Sequence, residues 1–238
     1  MNDAITFIPF SRLVIIFFPV ILVILILHYW SLGWKNAISA IGRMIIQLLI
    51  IGYFLVYIFS SKSSSFIILV LSIMVIVASW IALRTVSKKR KNLFKFALVS
   101  IIIGGGTILI LVTQFVLKLN PWYMPRYMIP LAGMIFASSM NGISLAAERL
   151  NAELDRGVNY NIARGIALKA SLIPITNSLF AVGLVSLPGM MTGQILSGIS
   201  PLIAVRYQIM VMCMIFGSVG LSSFLFLVLI KKNSLFNL

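Results

Sequence analysis

The side chains able to do chemistry in this sequence are few and stand far apart. Amides, a hydroxyl and one guanidinium interrupt stretches that are otherwise apolar. Arg43 and Gln47 lie in GRMIIQLLIIGY, Asn141 in ASSMNGISLA, Thr176 and Asn177 in LIPITNS, and Gln194 in GMMTGQIL. Arg43 and Gln47 are four apart and share a helix face. A polar group held in hydrocarbon needs a protein or water partner, so Gln47, Asn141, Thr176, Asn177 and Gln194 are candidates for lining a path. Hydrogen bonding across helices is the competing reading for each. Arg43 sits near the end of its stretch and also reads as a cation that snorkels to the headgroups. Pro174, Pro188 and Gly189 interrupt the region around Thr176 and Asn177. Backbone groups freed at such helix breaks must be satisfied by protein or by a water-lined cavity.

The acids are just as localised. Apart from Asp3, they are Glu148, Glu153 and Asp155, all within AAERLNAELDRGVNYNIARGIALKA. Arg149 and Glu153 have the i,i+4 spacing of a helical ion pair. Gly157 and Asn159 then interrupt, and Ile162–Ala170 suits a second short helix. A mixed-charge hairpin of this kind fits docking to a soluble partner; a solvated connection is the alternative.

Nothing else supports catalysis. The chain has one Cys, Cys213, and one His, His28, so it has no internal disulfide and no Cys/His or Ser/His/Asp set. It lacks GxxxxGK[ST] and HExxH, so neither a phosphate loop nor a zinc helix is present. No catalytic residue and no metal ligand set is expected. The 12 Met residues are soft-ion ligands by type, but read better as flexible packing.

These groups must be positioned by membrane helices. Of 238 residues, 61% are hydrophobic and 10% charged, and mean hydropathy is +1.12. Soluble domains are about 25% charged. Seven apolar stretches are long enough to span, near Leu13–Trp30, Ala37–Phe59, Phe66–Leu83, Ala97–Leu117, Met128–Ala146, Leu172–Met191 and Ala204–Ile230. The net charge of +15 sorts by side. Arg84, Lys88, Lys89, Arg90, Lys91 and Lys95 follow the third stretch. Arg149, Arg156, Arg164 and Lys169 follow the fifth, with Lys35, Lys231 and Lys232 on the same side. The other side has Arg12, Lys62, Lys118, Arg126 and Arg206. Positive charge stays cytoplasmic, which places the N-terminus outside and the C-terminus inside. The expected fold is therefore all-α: a polytopic bundle of about seven transmembrane helices. Six spans with Leu172–Met191 re-entrant is the alternative. The basic run Lys88–Lys91 lacks interleaved aromatics and reads as a topology determinant at the bilayer, not as a nucleic-acid site. Gly133, Ala137 and Asn141 recur every fourth residue and suggest close helix packing. Gly104, Gly105 and Gly106 suggest a kink or close crossing.

Ordered matches then point to a family. GLVSLPGMMTGQILSGISPLIAVRYQIMVM at Gly183–Met212 resembles the signature of the FetB-like permeases. GRMIIQLLIIGY, IPLAGM at Ile129–Met134, SMN at Ser139–Asn141, LAAERL at Leu145–Leu150 and LIPITNS occur in the same order. Bacterial members are described as iron-export ABC transporter permeases, and plant relatives are linked to aluminium tolerance. The resemblance implies one permease domain over 1–238, with residues 146–170 as its cytoplasmic coupling segment. It implies a homodimer in a bacterial plasma membrane, paired with a separate ATP-binding cassette ATPase that holds ATP and Mg, with no cofactor in this chain. Glu148, Arg149, Glu153 and Arg156 would then meet the ATPase. Family members carry Gly-Ala-Thr-Pro in that segment, where this chain has the shorter ELDRGVNYNIARG. An ATP-independent carrier or channel, and a non-transporting stress-response scaffold, are the competing functional readings.

Overall fold

The computed structural model describes residues 8–60 and 63–231. Its helices are α1 (Ser11–Tyr29), α2 (Trp34–Ser60), α3 (Ser64–Ala82), α4 (Ser87–Val116), α5 (Pro125–Asp155), α6 (Tyr160–Ala181), α7 (Gly189–Leu196) and α8 (Pro201–Lys231). The described residues form no β-strand, only an isolated bridge between Val182 and Ser186. The all-helical expectation holds.

Six of these helices, α1–α5 and α8, are long and apolar enough to cross a membrane. The expected stretch Leu172–Met191 is not one helix. Its first part belongs to α6, which starts at Tyr160; a turn with Gly183 at φ +83° follows, and α7 begins after Pro188. Gly183 takes up a left-handed conformation that a side chain would strain. Pro188 cannot donate to a preceding turn and is suited to the residue before a new helix. Pro174 lies inside α6, whose helix continues through it.

The chain divides into two compact units, Met1–Ser61 and Lys62–Leu238. In the first unit, α1 is apolar around nearly its whole circumference, so apolar periodicity gives it no distinct buried face, whereas α2 carries Ser39, Arg43 and Gln47 on one face. A helix apolar all round is one that lipid chains can solvate.

In the second unit the core is a junction of α4, α5 and α8 built from small residues. Gly104 of α4 lies so near Ser222 that a Cβ would stand 2.8 Å from the Ser222 backbone nitrogen. Gly142 of α5 lies against Ser223 and Val219. The Ser222 hydroxyl donates to Ser139 Oγ at 3.0 Å, and Ser139 donates to the Ser218 carbonyl at 3.3 Å. Close approach of backbones with serine bonds between them is how helices associate in lipid, where apolar burial gives little drive. The expected close crossing at Gly104–Gly106 is found, together with a wide π-type turn over Ile101–Gly105. Such a turn inserts a residue and re-aims the helix. The Gly133–Ala137–Asn141 stripe does not form the junction: Gly133 meets Met74, while Ala137 and Asn141 are exposed. The packing face is one to two positions along, through Ile135, Ser139, Gly142 and Ala146.

Candidate functional site

The structure forms the mixed-charge segment into a helical hairpin. α5 ends at Asp155, Gly157 turns the chain at φ +80°, and the Asn159 side chain accepts from the Asn161 N–H at 2.9 Å to start α6. Asn is a preferred cap because its short side chain reaches the free N–H groups of the first turn. The second helix is longer than the short one expected, running 22 residues.

Glu153 is buried at 5% exposure, although surrounded in sequence by charge. Its Oε1 accepts from Arg149 Nη2 at 2.7 Å and from Arg156 Nη1 at 3.4 Å. Glu153 is thus held inside the hairpin, while Glu148 and Arg156 are exposed and Arg149 is partly so. Asn151 joins two neighbours: its Oδ1 accepts from Lys89 Nζ at 3.0 Å and its Nδ2 donates to Asp155 Oδ2 at 2.8 Å. Lys89 opens α4, so this bond fastens the hairpin to a second helix.

A third attachment reaches α8. The Tyr160 hydroxyl donates to the Leu227 carbonyl. Around it Ala146, Leu150, Ala163, Ala167 and Leu227 form one apolar cluster, with Leu154 and Val158 packed on it. Further along, Ile175 of α6 packs with Met212 and Val219 of α8, so the two helices run antiparallel over much of their length. The sequence reading missed Tyr160; its place just after the Asn159 cap, on the face of Ala163 and Ala167, was the available signal. Tyr160→Phe removes the hydroxyl and keeps the ring. The expected cost is about 1 kcal/mol, the usual value for one such bond. A lowered thermal unfolding midpoint in detergent checks it.

The candidate path residues are not brought together in one pocket. Asn141 of α5 and Asn177 of α6 are exposed, and neither amide has a hydrogen-bond partner among the described residues. Thr176 is partly buried beside Asn177. Gln47 and Arg43 belong to the first unit and are exposed on α2, one turn apart. Gln194 lies on α7, with Oε1 buried and without a partner, in the wall of a cavity of about 690 Å³. Among the described residues no three His, Cys, Asp or Glu side chains gather to hold a metal.

The described residues thus form an all-helical bundle, with six helices long and apolar enough to cross a membrane and a charged hairpin fastened to two of its helices. The chain belongs to the uncharacterised protein family UPF0014, whose model matches residues 10–235. It is 40% identical over 191 residues to a UPF0014 membrane protein of Synechocystis sp., covering 73% of each chain. It is 34% identical over 220 residues to the "Probable iron export permease protein FetB" of Escherichia coli, covering 86% of this chain and 83% of that one. It is 34% identical over 202 residues to "Protein ALUMINUM SENSITIVE 3" of Arabidopsis thaliana, covering 78% and 72%. No solved structure matches it.

Proposed function

We propose that this chain is the membrane subunit of an ATP-driven exporter of a metal ion or small solute. In this reading it works as a homodimer with a separate ATPase that binds ATP and Mg, in a bacterial plasma membrane. The carrying observation is the α5–α6 hairpin, bonded to α4 through Lys89 and to α8 through Tyr160. A force applied at its tip is passed to helices whose small-residue junction lies deeper in the bundle. The name of the FetB relative supports export and makes iron the first substrate to test. The absence of a phosphate loop from the sequence supports an ATPase on another chain.

Geometry also supports a topology. α5 has 31 residues, about 46 Å at 1.5 Å each, against a hydrocarbon core of about 30 Å, so it extends beyond the bilayer at the hairpin. α6 has 22 residues and runs back along α8, long enough to be a seventh crossing although less apolar than the other six. Seven crossings put the hairpin, Lys88–Lys91 and Lys231 on one side, in keeping with the positive-inside rule. The outward amides Asn141 and Asn177 would then face the second copy or the path, with Thr176 beside Asn177; Gln47, in the first unit, stays a separate path candidate. Gln194 would lie towards the opposite mouth.

The test is reconstitution. The chain should co-purify with a phosphate-loop ATPase, raise its ATP hydrolysis and drive ATP-dependent iron flux in vesicles. Flux without any ATPase would overturn the reading in favour of a carrier. Asn177→Leu should lower flux at least about tenfold while leaving insertion and melting unchanged, because leucine removes the amide from the path. Unchanged flux would take Asn177 out of it.

A further inference from the structure

The cavity at the end of the bundle opposite the hairpin has a composition that transport by itself does not explain. Its walls include Arg126 and Met134 of α5, Gln194 of α7, and Tyr207 and Met210 of α8. Arg126 is exposed and has no ion-pair or hydrogen-bond partner among the described residues. Among those residues the carboxylates are Glu148, Glu153 and Asp155, all at the hairpin. Glu148 is 22 positions along α5 from Arg126, about 33 Å, several screening lengths away. The end that carries Lys118, Arg126 and Arg206 is therefore positive without internal compensation. Met134 lies eight positions deeper than Arg126 on the same helix, about 12 Å towards the bundle centre. The cavity thus passes from a cation at the helix end to thioethers at acyl-chain depth. In its wall Gln194 Oε1 is buried and lacks a donor.

We propose that this cavity is a binding site for an anionic phospholipid of the phosphatidylglycerol type. The phosphate pairs with the Arg126 guanidinium, which presents several donors to its oxygens. An acyl chain lies against Met134 and Met210, whose unbranched side chains adapt to a flexible tail. Net negative charge is favoured over a zwitterionic headgroup because no carboxylate offsets the local cations.

Native mass spectrometry of the full chain, delipidated and given equal phosphatidylglycerol and phosphatidylcholine, tests this. The wild type should keep phosphatidylglycerol over phosphatidylcholine by about fivefold or more. Arg126→Gln should remove most of that preference. Lys88→Gln, at the other end, should leave it intact. Arg126 is exposed, so its variant should melt as the wild type does, and that control separates lost binding from lost folding. A preference unchanged in Arg126→Gln would overturn the site. So would displacement of the lipid by millimolar inorganic phosphate, which would make it a small-anion site. Loss of ATP-dependent flux with lipid preference intact would count against the export reading and leave the lipid site standing.

Discussion

Gly104→Val is expected to destabilise the folded bundle severely. A Cβ at Gly104 would stand 2.7 Å from Ser222 Oγ, 2.8 Å from its nitrogen and 2.9 Å from its Cα. The hydroxyl can rotate away, but the backbone cannot, so α8 would have to withdraw. It is held on its other side, where a Cβ on Gly142 of α5 would meet Val219 Cγ1 at 2.9 Å. Excess volume in a packed core commonly costs about 1–3 kcal/mol, and here the obstacle is backbone, so about 3 kcal/mol or more is expected. Native stabilities are only about 5–15 kcal/mol, and the same withdrawal breaks the Ser222–Ser139–Ser218 bonds. Gly104→Val should therefore melt well below the wild type and elute with a larger aggregated fraction. Gly106→Ala is the matched control: a Cβ there meets nothing within 4 Å, and elution and melting should match the wild type. A monodisperse Gly104→Val protein with wild-type melting would refute the close approach.

That junction shows what the sequence made legible. Composition and the length of apolar runs were enough for a membrane helix bundle, because hydrocarbon leaves a backbone little choice but to bond within its own helix. Three successive glycines at Gly104–Gly106 marked a close crossing. Which face of α5 packs was not legible. Gly133–Ala137–Asn141 and Ser139–Gly142–Ala146 are both stripes of small residues, and apolar residues surround both. In a lipid-facing helix polarity no longer separates inside from outside, so the usual amphipathic signal is lost.

The bounds of the sixth stretch were misplaced for a related reason. Hydropathy drew it at Leu172–Met191, since Arg164 and Lys169 lower the apolarity of the preceding residues. The helix nevertheless begins at Tyr160, because a cap at Asn159 and the Ala163–Ala167 face against Leu227 start it there. Packing against α8 decided the boundary, and a window over one strip of sequence contains no information on α8. The hairpin itself was legible from its charges and Gly157. The burial of Glu153 was not, since spacing predicts the pair with Arg149 but not the closure of Arg156 and the surrounding helices over it.

Glu153→Lys follows from that burial and is the second large effect expected. The Glu153 carboxylate is 6% exposed and accepts from Arg149 at 2.7 Å and Arg156 at 3.4 Å. Breaking a fully buried pair costs about 3–5 kcal/mol. The arginines are 41% and 67% exposed, so water screens part of the loss. Glu153→Gln should then cost about 1–2 kcal/mol, since it removes the charge but keeps an acceptor. Lysine places a third cation between two others at a buried position, and about 3 kcal/mol is expected. The hairpin should open first, seen as faster amide exchange over 150–165 and as proteolysis near Gly157. Reversing the partner in Glu153→Lys with Arg149→Glu restores one pair and should recover much of the loss, which a purely steric account would not allow. Glu148→Lys provides the contrast. Glu148 is exposed and in no ion pair among the described residues, so the fold should be unchanged, whereas an ATPase docking on this face should bind more weakly. Wild-type ATPase capture by Glu148→Lys would move the dock away from that face. Slow exchange over 150–165 in Glu153→Lys would show that the buried carboxylate does not hold the hairpin closed.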